Sequence, residues 1–248
     1  MFPRLLIVNT FCFLLINIEA YAGPLISGIS SNEINVDTEF KGAQILLFGA
    51  KNDAGDVVIT VRGPRKNFII SKKENLLGVW FNGERIKFKN SYGFYSLFST
   101  YNDGEMIQQD LNEYELGKNN IQFEIQDNLS PSKINEFRIQ LVELLEQKNL
   151  YSVSTKPIDF LDETLFKLII DFPKNILLGT YIIEVYLINN GSVLSFQSIP
   201  VYVNQIGISA KISNFALSQS VLYGLIAVFL AIFVGCLANY LFARFIKK

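Results

Sequence analysis

The segment from Ile212 to Ala243 contains no charged residue, and it limits the possible folds of this chain more than any other feature. About 20 apolar residues suffice to cross a bilayer as a helix, and the core of the segment, Val221–Ala243, is long enough. A helix buried in a soluble protein is the alternative, but such helices rarely stay uncharged over this length. We therefore predict a transmembrane helix at 221–243.

The basic residues at the end of the chain predict the orientation of this helix. Arg244, Lys247 and Lys248 follow the apolar segment, whereas only Lys211 closely precedes it. Because Lys and Arg accumulate on the cytoplasmic side of a span, we expect residues 244–248 to form a cytoplasmic tail. The residues before the span then lie on the other side of the membrane.

Residues 1–22 show the pattern of a secretory signal peptide. Arg4 precedes an apolar run from Leu5 to Ile18, and Ala20-Tyr21-Ala22 supplies small residues for a cleavage site before Gly23. An uncleaved membrane anchor is the alternative. Both interpretations place the residues that follow outside the cytoplasm.

The exported region, from Gly23 to roughly Phe215, has to be stabilised by packing. The chain has 2 cysteines, Cys12 in the signal and Cys236 in the span. The mature exported region therefore forms no internal disulfide in a compartment that would permit one. The net charge of −1 gives no electrostatic argument for nucleic acid binding, and we expect no nucleic acid partner.

An N-terminal part of the exported region, residues 23–105, carries mostly β signals. Residues 43–50 and 56–62 flank Asn52-Asp-Ala-Gly55, which predicts a β-hairpin. Shorter strands are indicated at 68–71, 78–81, 84–89 and 93–98. Short strands with regular turn signals favour an antiparallel sandwich.

A C-terminal part, residues 155–208, repeats this pattern. Residues 166–172 and 179–188 alternate between core and surface types, as expected for strands, and a turn at 189–191 leads into a further strand. The Gly179-x-Tyr181 sequence at the start of the second strand is typical of the tyrosine corner of immunoglobulin-like sandwiches.

One soluble helix is expected in the acidic connector at 106–154. Ser130-Pro131 supplies an N-cap and a proline for the first helical position. Apolar residues then recur at helical spacing until about Lys148, namely Ile134, Phe137, Leu141, Leu144 and Leu145. We therefore predict a helix at about 131–148, inserted between the two β-rich regions. Whether these regions form one composite domain or two small ones stays open.

The predicted fold class is mainly β. It is an antiparallel, immunoglobulin-like sandwich with one inserted α-helix, followed by one C-terminal transmembrane helix.

The residues needed for common catalytic chemistry are missing. The chain has no histidine, which removes His-based acid–base catalysis and the commonest transition-metal ligand. The exported region has no thiol nucleophile, and the sequence contains no P-loop and no G-x-G-x-x-G motif. Ser130-Pro-Ser-Lys133 matches S-x-x-K, but no partner motif accompanies it. Asp159, Asp162 and Glu163 form an acidic group that is typical of solvated loops. We predict no enzymatic activity, no cofactor and no metal site.

Basic residues cluster between Arg62 and Lys89, whereas acidic residues dominate between Tyr101 and Gln147. Such segregation favours an anion- or lipid-facing surface, and we predict anion binding by Arg62, Arg65 and Lys66. The alternative is that the two segments pair with each other or form ordinary solvated surfaces.

Small residues recur along the predicted span at spacings of three or four: Gly224, Ala227, Ala231, Gly235 and Ala238. At about 100° per residue they fall on one narrow stripe. Small residues on one face allow another helix to approach closely, so we predict a packing face for a second transmembrane helix, from another copy or from a polytopic partner. The alternative is chance, since glycine and alanine are frequent in spans.

Five stretches resemble the Alph_Pro_TM family of alphaproteobacterial transmembrane proteins: Phe40–Ala50, Asp56–Pro64, Gly78–Trp80, Gly179–Tyr181 and the span beginning at Tyr223-Gly224. The resemblance covers nearly the whole mature chain. It implies a bacterial inner-membrane protein with a periplasmic domain, and it implies no activity and no catalytic residue.

Our first hypothesis is a non-enzymatic, single-span inner-membrane protein whose periplasmic β-rich domain is an accessory module for a membrane partner. The second is a periplasmic module that binds a small anion or an anionic lipid headgroup through the basic region Arg62–Lys73. An enzyme that uses carboxylates or a serine without histidine is the third.

Overall fold

The computed structural model describes residues 23–100, 113–117, 120–125, 129–152 and 156–245. The predicted signal peptide, parts of the predicted connector and the end of the predicted tail lie outside these residues.

The described strands form three sheets. Sheet A contains, in spatial order, β1 (Leu25–Ile29), β3 (Gly42–Lys51), β11 (Leu165–Pro173) and β10 (Asp159–Phe160). Sheet B contains β2 (Glu33–Val36), β13 (Ser192–Gln205), β12 (Gly179–Asn189), β4 (Asp56–Arg62), β7 (Tyr95–Ser99) and β9 (Lys156–Pro157). Sheet C contains β5 (Arg65–Leu76), β6 (Val79–Tyr92) and β8 (Glu124–Ile125). The described helices are α1 (Pro131–Gln147), α2 (Gly207–Ser218) and α3 (Ser220–Phe245).

Sheets A and B pack face to face. The ring of Phe172 on β11 meets the ring of Tyr181 on β12 edge-on, with 5.5 Å between centroids. Ser27 on β1 donates hydrogen bonds from its backbone N–H and its hydroxyl to Oε1 of Gln197 on β13, both at 2.6 Å. The described strands pair in antiparallel fashion except for β2 with β13 and β7 with β9. The predicted mainly β, antiparallel sandwich is confirmed.

Sheets A and B each combine strands from the N-terminal and C-terminal parts of the chain. In sheet A, β11 pairs with β3 from Leu165↔Ala50 to Pro173↔Gly42. In sheet B, β12 pairs with β4 from Ile182↔Arg62 to Ile188↔Asp56. The two β-rich regions therefore build one composite sandwich, and neither completes a sheet alone.

The predicted hairpin between β3 and β4 is wrong. β3 pairs with β1 and β11, whereas β4 pairs with β12 and β7. The turn at 52–55 instead carries the chain from sheet A to sheet B. The buried residues of the two strands, such as Leu47 and Ile59, enter the core from opposite sheets. A turn signal between two alternating strands is the same for a hairpin and for such a crossing.

Several local predictions are confirmed. The inserted helix runs from Pro131 to Gln147 with proline in its first turn. Asn190 and Gly191, with φ of 50° and 80°, form the turn between β12 and β13. The Tyr181 hydroxyl donates to the Leu177 carbonyl and accepts from the Leu177 N–H, both at 3.0 Å, which is the tyrosine-corner bond. Burial raises the pKa of Tyr181 to about 12.

The C-terminal helix is the one described helix that is long and apolar enough to cross a membrane, over Ser220–Ala243. None of this window is buried against other parts of the described chain. Helix α2, which the sequence pattern did not indicate, directly precedes it. The rings of Phe215 and Tyr223 meet across the break at Gln219, with 6.2 Å between centroids.

Candidate functional site

Arg62, the first of the predicted anion-binding residues, is used inside the fold. Its guanidinium forms an ion pair with Glu184 on the neighbouring strand and donates to the Tyr114 carbonyl. The side chains of Arg62 and Glu184 are only 12% and 19% exposed. The hydroxyls of Thr60 and Tyr186 donate to the same Glu184 oxygen, at 3.2 and 2.9 Å. The carboxylate of Glu184 therefore already neutralises this arginine.

The electrostatics of Arg62 agree with this role. Burial acts to lower the pKa of the Arg62 guanidinium, but the charge of Glu184 and the neighbouring tyrosines outweigh it, so that the pKa is raised overall. An opposite charge nearby favours the charged form of a buried group. Arg62 is thus a permanent, internally paired cation.

Arg65 and Lys66 lie against different aromatic rings. The Arg65 guanidinium stacks 4.2 Å from the Tyr92 ring centroid and donates to the Tyr92 hydroxyl at 2.6 Å. Lys66 lies over the Phe68 ring, at 4.7 Å. Burial, followed by the nearby charge of Lys148, lowers the pKa of the Lys66 amine. Arg65 also forms an ion pair with Glu115, with 3.8 Å between Nη2 and Oε2. Anion binding stays a prediction, and it now depends on Lys66 and on the exposed part of Arg65 rather than on Arg62.

The tyrosines around these arginines attach residues 113–117 to β6 of sheet C, through Tyr92, and to β7 of sheet B, through Tyr95. Tyr92 donates to Oε2 of Glu115 at 2.6 Å, and burial with this hydrogen bond raises the pKa of Tyr92 to about 12. The Tyr95 hydroxyl donates to the Glu115 carbonyl at 3.0 Å and accepts from the Gly117 N–H at 2.7 Å. This cluster therefore holds a connector segment in place, which is a structural role.

The predicted acidic group gives no metal centre in the structure. Within the residues that the structure describes, no three His, Cys, Asp or Glu side chains come together in a way that could hold a metal ion. Asp162 and Glu163 are exposed in the loop before β11, where Asp162 accepts a hydrogen bond from the Glu163 backbone N–H at 2.7 Å.

The outer face of sheet A carries an exposed apolar patch that the sequence analysis missed. Its members point away from the core and are 40–54% exposed: Ile26, Leu46, Phe48, Leu165 and Ile169. Strand pairing places them in adjacent rows, with Leu46 opposite Ile169, and Ala50 between Ile26 and Leu165. Contiguous exposed apolar surface on a folded domain marks an interaction site more often than a scattered apolar residue does. We call these five residues the sheet A patch.

Polar residues border the sheet A patch. Gln44 and Asp171 face each other in the next row, joined by a 2.8 Å hydrogen bond from the Gln44 amide. Lys167 lies opposite Phe48, whose ring covers Gly28 so closely that an added Cβ would lie 3.1 Å from it. An apolar centre with a polar rim is the arrangement of protein–protein interfaces.

A signal for this patch was present in the sequence. Ile45–Phe48 and Leu168–Ile170 are unbroken apolar runs, although a strand with one solvent-facing side should alternate. Such runs indicate a strand that is apolar on both faces.

The predicted packing stripe of the span lies entirely on α3. A Cβ added at Gly224 or Gly235 would meet no atom within 4 Å, so no described part of this chain occupies the stripe at these positions. The stripe is available to another helix, and its use as a packing face stays a prediction.

We expect Glu184→Gln to destabilise the protein, because it leaves the Arg62 charge buried without its counterion. Hydrogen bonds to charged groups contribute about 1.5–3 kcal/mol, and the loss should be of that order. The thermal midpoint of the full chain in mild detergent measures it. Glu163→Gln, on an exposed loop, is the control and should change little. Equal midpoints for both variants would contradict the structural role of the Arg62–Glu184 pair.

Comparison with known proteins agrees with this architecture. No curated protein and no solved structure matches the chain significantly. A family model described as "Putative transmembrane protein" (Alph_Pro_TM) matches residues 24–244, which include the sandwich and the apolar C-terminal helix. The chain therefore belongs to the Alph_Pro_TM family of transmembrane proteins.

Proposed function

We propose that this protein is a non-enzymatic accessory subunit of another membrane protein, anchored in the bacterial inner membrane by α3. Its β sandwich lies in the periplasm, its C-terminal tail lies in the cytoplasm, and residues 1–22 are removed as a signal peptide. The basic tail and the signal-like N-terminus support this orientation.

The observation that carries the proposal is the sheet A patch. A soluble domain gains nothing from exposing Phe48 and Ile169 at 51% and 54% on a sheet face that has no covering layer among the described residues. Burying these side chains against a partner would be favourable at roughly 25 cal/mol per Å² of apolar area. The polar rim of Gln44, Lys167 and Asp171 suits a protein surface better than lipid tails.

Because α3 anchors the protein in the membrane, a small patch such as the sheet A patch is sufficient to bind a membrane partner. Tethering two proteins to one bilayer raises the effective concentration of each at the other, so the ectodomain contact need not be strong by itself. The partner that fits is therefore the periplasmic part of an integral membrane protein. The small-residue stripe on α3 would add a second contact within the bilayer.

We expect the double variant Leu46→Thr/Ile169→Thr to weaken partner binding about tenfold or more, because central apolar contacts dominate interface energies. Threonine retains β propensity, and both side chains are already exposed, so the fold should persist. A photoreactive residue at Gln44, on the rim, should crosslink to the partner in native membranes, and the double variant should lose this crosslink.

The matched control is Leu194→Thr/Phe196→Thr, which removes two exposed apolar side chains from β13 in sheet B. It should leave the Gln44 crosslink unchanged. Equal losses in both variants would argue against the sheet A patch, and a crosslink to a second copy of this chain would replace the accessory role with self-association.

Replacing Ala231 and Gly235 by isoleucine should weaken association of the span with its partner helix. The span stays apolar enough to insert, but the added side chains hold the two helices apart. Crosslinking within membranes, or co-purification in mild detergent, measures the loss.

Phe229→Leu/Phe233→Leu is the control for the span. At about 100° per residue these two positions lie on the side of α3 opposite the stripe. The change should be nearly silent. If the two double variants behave alike, the stripe is chance composition and the helix is an anchor alone.

A further inference from the structure

The β5–β6 hairpin extends beyond the sandwich. Its base is buried at Ile86 and Phe88, whereas every residue from Lys72 to Asn82 is exposed. Two ion pairs connect the hairpin to α1, Lys72 with Glu136 and Lys133 with Glu84. Beyond these two pairs the end of the hairpin projects with both of its faces in solvent.

The end of this hairpin is apolar, and we call residues 76–81 the hairpin tip. Leu76 pairs with Val79, Asn75 with Trp80 and Glu74 with Phe81. Because side chains alternate across a strand, Leu76, Val79 and Phe81 lie on one face and Trp80 lies on the other. A hairpin that packs one face on a protein would be apolar on that face alone. This tip is apolar on both.

The turn at the tip places a leucine in a backbone conformation that leucine disfavours. Leu77 and Gly78 have φ of 53° and 85°, which is the two-residue turn that favours Asn-Gly. A leucine in the left-handed region is rare and strained. Leu77 is nevertheless 97% exposed, so it makes no packing contact that would offset the strain. Its side chain contributes nothing to the fold and is fully presented to the surroundings.

Basic residues lie on both strands of the hairpin, between the tip and the sandwich. The hairpin, residues 65–92, contains seven basic and two acidic residues in a chain of net charge −1. Lys73 and Arg85 are exposed between the tip and the sandwich, and Glu84, one of the two acids, is held by Lys133 at 2.9 Å. The arrangement is an apolar end behind which basic residues outnumber acidic ones, with Lys73 and Arg85 against the exposed Glu74.

We propose that the hairpin tip inserts into the interface of the same bilayer that α3 crosses, with Lys73 and Arg85 on the phosphates of anionic lipids. Tryptophan prefers the headgroup level of a membrane, and basic side chains beside an anionic surface add attraction. An apolar medium on all sides matches a tip that is apolar on both faces. The proposal goes beyond the accessory function and does not depend on the sheet A patch.

The chain contains a built-in probe, because Trp80 is its single tryptophan. The full-length protein would be placed, one copy per disc, in lipid nanodiscs, so that its own bilayer is the only membrane present. With phosphatidylglycerol in the disc, we expect Trp80 emission at shorter wavelength than in water. We also expect quenching by lipids brominated near the headgroup and protection from aqueous acrylamide. Emission typical of water, with full acrylamide quenching and none by bromolipid, would overturn the proposal.

Leu77→Asn separates insertion from folding. Asparagine suits the turn better than leucine, so the thermal midpoint should rise or stay unchanged. Bromolipid quenching should nevertheless fall by about half or more, because a buried leucine supplies much of the apolar area that the tip transfers. Leu194→Asn, at an exposed position of β13, is the control and should leave quenching unchanged. Unchanged quenching in Leu77→Asn would contradict insertion through the tip.

The charge-reversal variant Lys73→Glu/Arg85→Glu tests the headgroup contact. Its quenching should fall in discs with phosphatidylglycerol and match that of the parent in discs of phosphatidylcholine alone. Parent quenching that is equal in both lipids would overturn the role of the two basic residues. A photoreactive residue at position 80 that crosslinks to a protein in native membranes, together with no quenching of Trp80 in discs, would show that the tip contacts a protein partner instead.

Discussion

Two long-range strand pairings hold the β sandwich together, β3 with β11 and β4 with β12. They join residues more than a hundred positions apart, such as Leu47 and Leu168, and the cost of closing such loops has to be met by packing. No disulfide helps, because the cysteines lie in the predicted signal and in the span. The rings of Phe94, Phe172 and Tyr181 meet one another at the contact between the sheets, with centroids 5.5–5.7 Å apart. The connector, the projecting hairpin and the C-terminal helices all depend on this closure.

Local features of this fold could be predicted from the sequence, and pairing partners could not. Proline at position 131 and the apolar spacing behind it define α1, and Gly179 with Tyr181 indicates the tyrosine corner, because both are decided within a few residues. The turn at 52–55 led to the wrong prediction of a β3–β4 hairpin. Whether such a turn forms a hairpin or carries the chain between sheets depends on pairing with β11 and β12, far along the chain. For the same reason the charge of Arg62 indicated an anion site, although its counterion, Glu184, lies on β12, which is far along the chain but adjacent to β4 in the sheet.

The apolar residues that the fold leaves exposed are explained by contacts with a membrane or with another protein. A single apolar helix of this length belongs in a bilayer, and the family of the chain consists of transmembrane proteins. The sheet A patch has a polar rim and suits a protein, whereas the hairpin tip is apolar on both faces and suits lipid. Both regions are exposed apolar surface, and we expect them to make two different contacts. The arrangement of polar residues around each region distinguishes the protein contact from the lipid contact.

The proposed accessory function requires the sandwich to lie outside the cytoplasm, and cysteine labelling in spheroplasts tests this orientation most directly. Residues 23–215 contain no cysteine, so single cysteines can be introduced at Glu163, on an exposed loop, and at Lys247 in the predicted tail, each with Cys236→Ala. A membrane-impermeant maleimide applied to spheroplasts should label the cysteine at position 163, and should label position 247 only after the membrane is permeabilised. Labelling of position 247 alone in intact spheroplasts would contradict the account.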